Sequence, residues 1–297
     1  MHLTVKGKDY ILVRNAMADP IRRESYCLLT KTVFGLDFAP WYNSGYYDGS
    51  FSPYTLYDGH TAAASVGIVP SDFIWNNSKK TYAQISTVMT HPDYRGSGLS
   101  DALLKLVLAE WDSKCDMIYL YANDSVTKFY PKYGFVKAKE YLYSKPLAKR
   151  EGQYRKLDLH NPVDAALLAE KYMTLGNPFS ALQMERNLSH LMFHCVTFLQ
   201  ENLYYVEPYD AVVIAEYEDD HIFCYDIFTD QKCETDDILG ILATGSTVSV
   251  RFGFTPKETQ GLSVEESPEC GTTVFVYKRT DSLFHTHKVT FPFLSRA

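Results

Sequence analysis

The stretch Val88–Trp111 reads VMTHPDYRGSGLSDALLKLVLAEW and decides the fold. It joins the end of a β-type segment, residues 83–90, to a tight loop, and the loop leads into a strongly periodic helix. The two glycines of the loop let backbone N–H groups approach a ligand closely, and the start of the helix adds positive potential. The stretch therefore predicts a site for phosphate groups, to which Arg95 adds a full positive charge.

This stretch resembles the acyl-CoA-binding motif of the GNAT N-acetyltransferase superfamily, R/Q-x-x-G-x-G/A. Arg95 and Gly98 match the motif, and Ser100 is a small residue where glycine or alanine is usual. Further along the chain, Asn123 and the run Phe129–Phe135, FYPKYGF, resemble a second element of the family, F-Y-x-x-x-G-F. Two motifs in this order indicate the family more specifically than either motif alone.

The pattern of the first half restarts in the second half of the chain. Asn161-Pro162 repeats the helix start at Asp19-Pro20, and Thr273–Arg279 resembles the strand predicted at Lys139–Ser144. Such a repeat indicates the duplication of one structural unit. Together with the family resemblance, it predicts an α/β (α+β) protein. Its fold, a mixed, mostly antiparallel twisted sheet flanked by helices, is expected to occur twice.

The boundary between the two copies is predicted in the polar segment Lys145–Gly152, KPLAKREG, which contains Pro and Gly. This division gives a GNAT acetyltransferase domain with the acetyl-CoA site at residues 1–147 and a second GNAT-like domain at residues 148–297. The loop of the second copy that precedes its helix, residues 230–234, reads DQKCE and has no glycine. Such a loop cannot hold a pyrophosphate in the same way, so the second copy is predicted to be degenerate as a cofactor site.

Composition and charge limit the classes of function. Of the 297 residues, 46% are hydrophobic and 22% charged, as in ordinary globular proteins. The net charge of -7 argues against nucleic acid as the main partner; it suits a cationic substrate or merely aids solubility. No apolar run approaches the ~18 residues that cross a membrane. Six scattered cysteines without C-x-x-C, and an N-terminus without an apolar signal core, predict a reduced, cytoplasmic protein of bacterial origin.

The resemblance implies acetyl-CoA as co-substrate and a role for each part of its site. The phosphates are expected to bind backbone donors and side chains of Arg95, Gly96, Ser97, Gly98, Leu99 and Ser100. The thioester carbonyl is expected to be polarised by backbone N–H groups of a strand that separates from its neighbour, at Val88, Met89 and Thr90. Asn123 is expected to contact the cofactor, and Tyr130 to protonate the leaving thiolate as general acid. No metal is predicted.

The general base is left unassigned, because GNAT enzymes use varied groups for it. Asp58, His60 and His91 are candidates by location alone. The apolar tail, residues 289–297, is expected to dock, and some tandem acetyltransferases place a terminal carboxylate in the active site, so Ala297 is a further candidate. The alternative for the tail is a docked edge strand. His285-Thr-His287 has no third metal ligand at useful spacing and is expected on a surface strand.

Patterning also predicts several local structures. A helix is expected from Asp19-Pro20 to about Val33, a hairpin at Asp58-Gly59, and helices at Asp124–Tyr133 and Met184–Glu201. The aromatic segment Asp37–Tyr57 is either a wall of the acceptor pocket or a loop packed on the second domain.

These features predict an N-acetyltransferase that moves an acetyl group from acetyl-CoA to a primary amine of a small molecule or peptide by direct transfer. One alternative is a non-catalytic acyl-CoA-binding sensor or scaffold. A second is a tRNA-dependent aminoacyl transferase, a class also built from paired GNAT-like domains. The acidic net charge and the intact loop count against that second alternative.

Overall fold

The computed structural model describes residues 1–267, 271–277 and 283–297. The strands in these residues form two sheets, one of nine strands and one of seven. The strands are β1 (His2–Val5), β2 (Lys8–Arg14), β3 (Ser52–Asp58), β4 (Thr61–Trp75), β5 (Ser78–Thr90), β6 (Met117–Asn123), β7 (Phe135–Lys137), β8 (Tyr141–Pro146), β9 (Tyr154–Lys156), β10 (Leu182–Met184), β11 (Leu203–Val206), β12 (Ala211–Glu218), β13 (His221–Phe228), β14 (Ser249–Phe252), β15 (Ser263–Glu266) and β16 (Thr272–Tyr277). The helices are α1 (Pro20–Phe34), α2 (Ala39–Asn43), α3 (Leu99–Trp111), α4 (Pro162–Leu175), α5 (Leu188–Thr197), α6 (Thr235–Leu242) and α7 (Leu283–Thr286).

Both sheets are mixed and mostly antiparallel. The first has the order β1-β2-β3-β4-β5-β6-β16-β7, with β10 paired to β4, and the second has the order β15-β8-β14-β13-β12-β11-β9. Among the described strands, the parallel pairs are β5 with β6 and β13 with β14. The predicted fold class is therefore confirmed, and two sheets of similar design are consistent with the predicted duplication.

The two predicted helix starts are both present. The Asp19 side chain accepts from the backbone N–H of Arg22, and Pro20 occupies the first position of α1. Asn161 accepts from the N–H of Val163 in the same way at the start of α4. Each side chain satisfies one of the backbone donors that a helix start leaves free, which explains why these short motifs could be read from the sequence.

The two sheets exchange one strand each. Strand β8, which the predicted division at residue 147 assigns to the first domain, lies in the second sheet between β14 and β15. Strand β16, which that division assigns to the second domain, lies in the first sheet between β6 and β7. The sequence repeat predicted that these two strands are equivalent. Each of them lies in the sheet of the other copy. Cys270 and residues 278–279 of the predicted strand lie outside the described residues.

One predicted helix is wrong and another is shorter than predicted. Residues 124–133 form two separate 3-10 turns, Asp124–Val126 and Tyr130–Tyr133. Pro131 has no N–H to donate and disfavours helical geometry at the residue before it, so a continuous helix does not form. The helix predicted at residues 184–201 is shorter, because β10 pairs with β4 and the Asn187 side chain caps the start of α5.

Most of the tail, residues 289–297, is buried, although the terminal Ala297 is exposed. Phe291 is fully buried in the first sheet's core, where its ring stacks on Tyr119 at 4.1 Å between centroids. The segment continues to the second sheet, where the N–H of Phe293 donates to the carbonyl of Gly253. It ends in a 3-10 turn, Phe293–Ser295, so the alternative of a docked edge strand is wrong. The tail therefore links the cores of both sheets.

Replacing Phe291 with Ala should lower the free energy of unfolding by about 3–5 kcal/mol, because a fully buried ring leaves a cavity behind. The measurement is urea unfolding followed by circular dichroism. Phe198→Ala is the matched control, since that side chain is 56% exposed and its loss should cost less than about 1 kcal/mol. Equal losses in the two variants would contradict the anchoring role of the tail.

Candidate active site

A cavity of about 720 Å³ opens between β5 and β6 of the first sheet. The parallel pairing of these strands ends at Ile85 and Leu120, although β5 continues to Thr90 and β6 to Asn123. Beyond that point the two strands separate, as the family resemblance predicted. The cavity occupies the gap, and its walls come from the end of α1, β5, the start of α3, β6 and the turns that follow β6.

A β-bulge in β5 shapes the wall of this gap. The register between β4 and β5 shifts between Ser65 and Gly67, and Thr87 has a positive φ of 43°. A Cβ atom added at Gly67 would lie 2.6 Å from the hydroxyl oxygen of Thr87. Glycine is therefore needed on β4 opposite the bulge. His91 donates its N–H to Ala63 on β4. Because amides alternate along a strand, the N–H of Thr90 is directed away from β4.

The glycine loop leads directly into α3. Gly96 and Gly98 have φ values of 75° and 85°, a conformation that other residues rarely adopt, and Gly98 caps the helix. The Thr90 and Ser100 hydroxyls are 2.6 Å apart and join the end of β5 to the first turn of the helix. The free N–H groups of that turn and the positive end of the helix dipole suit an anionic group.

Most of the predicted cofactor residues meet at the cavity. Those lining it are Val88, Met89, Thr90, Arg95, Ser100, Asn123 and Tyr130. The residues Gly96, Ser97, Gly98 and Leu99 shape the loop and the helix start without lining the cavity. Sequence reasoning missed several lining residues from β5, β6, the turns after β6 and the start of β16: Ile85, Ser86, Thr87, Tyr121, Ser125, Val126, Phe129 and Thr272. It also missed Lys6, whose ammonium donates to the carbonyl of Gly96 at 3.1 Å and adds positive charge beside the loop.

Tyr130 lines the cavity. Its ring is 5% exposed and packs among Phe129, Phe135 and Phe275. Within the described residues its hydroxyl has no hydrogen-bond partner. Burial raises the pKa of Tyr130 to about 12, because a low-dielectric surrounding disfavours the phenolate. The hydroxyl is therefore protonated at neutral pH and available to donate.

The end of the tail forms part of the cavity wall. The Gln84 side chain, itself buried, accepts from the N–H of Ala297 and donates to the backbone oxygen of Ala297, both at 3.0 Å. The buried carboxylate of Glu140 accepts from Arg296 at 3.2 Å, from the Tyr121 hydroxyl at 2.9 Å and from the N–H of Phe291 at 2.9 Å. These bonds hold the last residues in one place between the two sheets.

The other candidates for the general base do not line the cavity. Asp58 accepts from Lys8 and from the Tyr94 hydroxyl, and the lysine holds the pKa of that carboxyl below its usual value. His60 is exposed in the turn between β3 and β4. His91 accepts from the N–H of Asp93 at the start of a 3-10 turn. Among these sequence-based candidates, Ala297 is the one that the structure brings to the cavity.

No group of three or more potential metal ligands occurs among the described residues. His285 lies in α7 rather than on a strand, so that expectation is wrong. No helix in the described part of the chain is both long and apolar enough to cross a membrane. Its five cysteines are free, and the predicted cytoplasmic location stays a prediction.

The second copy keeps the strand geometry, but the tail packs where its strands separate. Its parallel pairing, β13 with β14, ends at Cys224 and Phe252, just before a β-bulge in the neighbouring pair like the one in the first sheet. Phe293 of the tail packs there against Phe223, with ring centroids 4.9 Å apart. The helix that follows, α6, begins with the carboxylates of Glu234 and Asp237, which cap its own N–H groups. Carboxylates at that point repel an anion.

Comparison with known proteins agrees with this geometry. Residues 26–138 match the family model of the acetyltransferase (GNAT) domain. The chain contains a GNAT domain. No curated protein sequence matches the chain significantly.

The GNAT domain and the second copy together resemble several solved structures. A probable N-acyltransferase of unknown function from Enterococcus faecalis V583 is 16% identical, with a TM-score of 0.58 over 91% of this chain and 73% of that one. A GCN5-related N-acetyltransferase from Kribbella flavida is 16% identical, with a TM-score of 0.54 over 90% and 71%. Eis1 from Mycobacterium abscessus is 13% identical, with a TM-score of 0.54 over 90% and 73%. At these identities the likeness shows the shared fold.

Replacing Glu140 with Ala should lower the free energy of unfolding by about 3–5 kcal/mol, because Arg296 then loses its carboxylate partner in a largely buried place. The measurement is urea unfolding. Glu266→Ala is the control: its partner Lys139 and Glu266 itself are about half exposed, so its loss should cost at most about 1 kcal/mol. Similar costs for the two variants would show that the buried network does not stabilise the tail.

Proposed function

We propose that the protein is an N-acetyltransferase that moves the acetyl group of acetyl-CoA directly to a primary amine of a small molecule or peptide. The observation that carries this proposal is the meeting of three features at one cavity. They are the separated end of β5, the start of α3 with its glycine loop, and the unpaired hydroxyl of Tyr130. Together they offer a place for an anion, a place for a thioester and a proton donor.

The residues present fit acetyl-CoA. Arg95 and Ser100, at the start of α3, line the cavity, and the pyrophosphate would bind there to the free N–H groups of α3. Within the described residues the Arg95 guanidinium is not engaged in an ion pair, so its charge is available to a phosphate. The gap between β5 and β6 is long enough to receive an extended arm alongside β5, where Val88, Met89 and Thr90 line the wall. Asn123 lines the opposite wall on β6.

In direct transfer, the amine nitrogen attacks the thioester carbonyl, a C–N bond forms and the C–S bond breaks. The amine gives up a proton, and the leaving thiolate takes one. Tyr130 supplies the second proton in our proposal, since its hydroxyl is protonated and free. Backbone N–H groups along the separated part of β5 are proposed to stabilise the negative charge that develops on the carbonyl oxygen. The base stays unassigned, and an acid–base role for Ala297 stays a prediction.

We further propose that residues 1–147 are the catalytic domain and that residues 148–297 are a degenerate copy that closes part of the cleft. Two features support a non-catalytic second copy: the acidic start of α6 and the tail that packs where β13 and β14 separate. The exchanged strands β8 and β16 imply that the two domains do not fold independently of one another.

Replacing Tyr130 with Phe should lower kcat by about 100-fold or more and leave the Kd for acetyl-CoA unchanged. Because burial raises the pKa of Tyr130 to about 12, its hydroxyl stays protonated at every lower pH, so its ionisation should not limit the rate near neutrality. The measurements are thiol release and calorimetric titration. Tyr133→Phe is the control, because that hydroxyl donates to Asp101 outside the cavity.

An unchanged rate in Tyr130→Phe would contradict the assigned role. Acetyl-CoA binding by the wild type without turnover on any amine would favour the sensor or scaffold alternative. Specific retention of tRNA, without use of acetyl-CoA, would favour the aminoacyl transferase alternative.

Replacing Arg95 with Glu should weaken acetyl-CoA binding at least about tenfold, equivalent to 1.4 kcal/mol, because a carboxylate then faces the phosphates. Calorimetric titration measures the change. Lys232→Glu is matched to it, since it makes the same change of charge in the exposed loop of the second copy. The proposed cofactor site would be refuted by equal affinities in the two variants or by a wild type that does not bind.

A further inference from the structure

The turn between β1 and β2 has an unusual residue at its first position. Val5 pairs with Lys8, so the turn consists of Lys6 and Gly7. Their φ values are 50° and 82°, as in the type I′ turns that join antiparallel strands. Such turns favour Asn, Asp or Gly at both positions, because other side chains are disfavoured at positive φ. A lysine held in this conformation indicates that its side chain has a role of its own.

The Lys6 side chain lies along the glycine loop. Its ammonium donates to the carbonyl of Gly96 at 3.1 Å. A Cβ atom added at Gly98 would lie 3.4 Å from Lys6 Cε and 3.8 Å from Lys6 Nζ. The lysine stem therefore packs against the bare backbone of Gly98, and the ammonium is held beside the residues that lead into α3.

The ammonium can bind an anion in this position. It has three N–H donors, and within the described residues the carbonyl of Gly96 is its one hydrogen-bond partner. It forms no ion pair in that part of the chain. Asp101, in the first turn of α3, binds Lys105 at 2.9 Å instead. Lys6 thus adds a positive charge to the loop that no carboxylate of the described residues neutralises.

Unpaired backbone donors lie next to this charge. The N–H groups without an acceptor among the described residues are those of Gly96, Gly98, Leu99 and Ser100. An anion on the N–H of Gly98 would lie close to the Lys6 ammonium. Charges this close are only partly screened, since the screening length is ~8 Å at physiological ionic strength. Arg95, which lines the cavity, directly precedes the same donors, so two cations flank one set of N–H groups.

We propose that Lys6 binds the pyrophosphate of acetyl-CoA together with Arg95 and the N–H groups of the glycine loop. The turn between β1 and β2 is then part of the cofactor site, although it lies outside the motif and outside residues 26–138 that match the family model. This inference rests on the proposed acetyl transfer and concerns how its cofactor is held. We assign the pyrophosphate rather than the 3′-phosphate, because Lys6 meets the free N–H groups at the start of α3.

Replacing Lys6 with Met should raise the Kd for CoA about five- to tenfold, because a hydrogen bond to a charged group is lost. Calorimetric titration measures the change. Lys8→Met is the matched control: it removes the same charge next to the turn, but the Lys8 ammonium binds Asp58 at 2.6 Å, so the Kd should stay within about twofold. Lys6→Arg keeps the charge and should retain most of the affinity. Circular dichroism checks that each variant is folded.

Two truncated ligands separate phosphate binding from a purely structural role. Dephospho-CoA lacks the 3′-phosphate and keeps the pyrophosphate, so Lys6→Met should weaken its binding by the same factor as that of CoA. Pantetheine lacks every phosphate, so its affinity, measured by displacement of dephospho-CoA, should be equal in Lys6→Met and the wild type.

The outcomes also separate this inference from the proposed function. An unchanged Kd for CoA in Lys6→Met, or an equal loss in Lys8→Met, would overturn the role of Lys6. A loss for CoA but not for dephospho-CoA would overturn the assignment to the pyrophosphate. A loss for pantetheine as well would show that Lys6 only stabilises the loop. Failure of the wild type to bind CoA or acetyl-CoA would instead overturn the proposed function.

Discussion

The separation of β5 from β6 is the constraint on which the rest of the site depends. Parallel pairing stops at Ile85, and the bulge at Thr87 changes the course of the strand before it ends. Beyond this point the backbone groups of β5 have no hydrogen-bond partners on β6. A buried backbone group without a partner costs free energy unless a ligand or water binds it. The cavity proposed for acetyl-CoA and the docking place of the tail both border this short length of β5.

In the second copy, a segment of the chain itself packs where two parallel strands separate. Its strands β13 and β14 also separate, but the chain's own Phe293 packs against Phe223 there. From this position the tail continues to Ala297, which lines the first site and donates its N–H to Gln84. The gap between β5 and β6 is therefore proposed to bind the cofactor. The gap between β13 and β14 instead holds the tail, whose end forms part of the wall of the first copy's cavity.

Strand exchange makes the two halves mutually dependent. Strand β16 lies between β6 and β7, next to the turns that carry Tyr130, and Phe193 of α5 packs against Trp41 of α2. The buried Glu140, in the connection between β7 and β8, holds Arg296 of the tail. Residues from both ends of the chain thus fix the geometry of one site, although the cofactor motif itself is confined to a short stretch.

The sequence by itself determined the elements whose cause is local. Asp19 and Pro20 start α1, Gly96 and Gly98 provide the positive φ values of the loop, and the apolar face of α3 follows from its spacing. Backbone preferences and side-chain caps act within a few residues, so they can be read without knowing the fold. Only the tertiary structure decided the strand exchange, the bulge at Thr87 and the meeting of Phe193 with Trp41. These depend on contacts between residues far apart in the chain, where several pairings satisfy the same hydrophobic pattern and packing selects one of them.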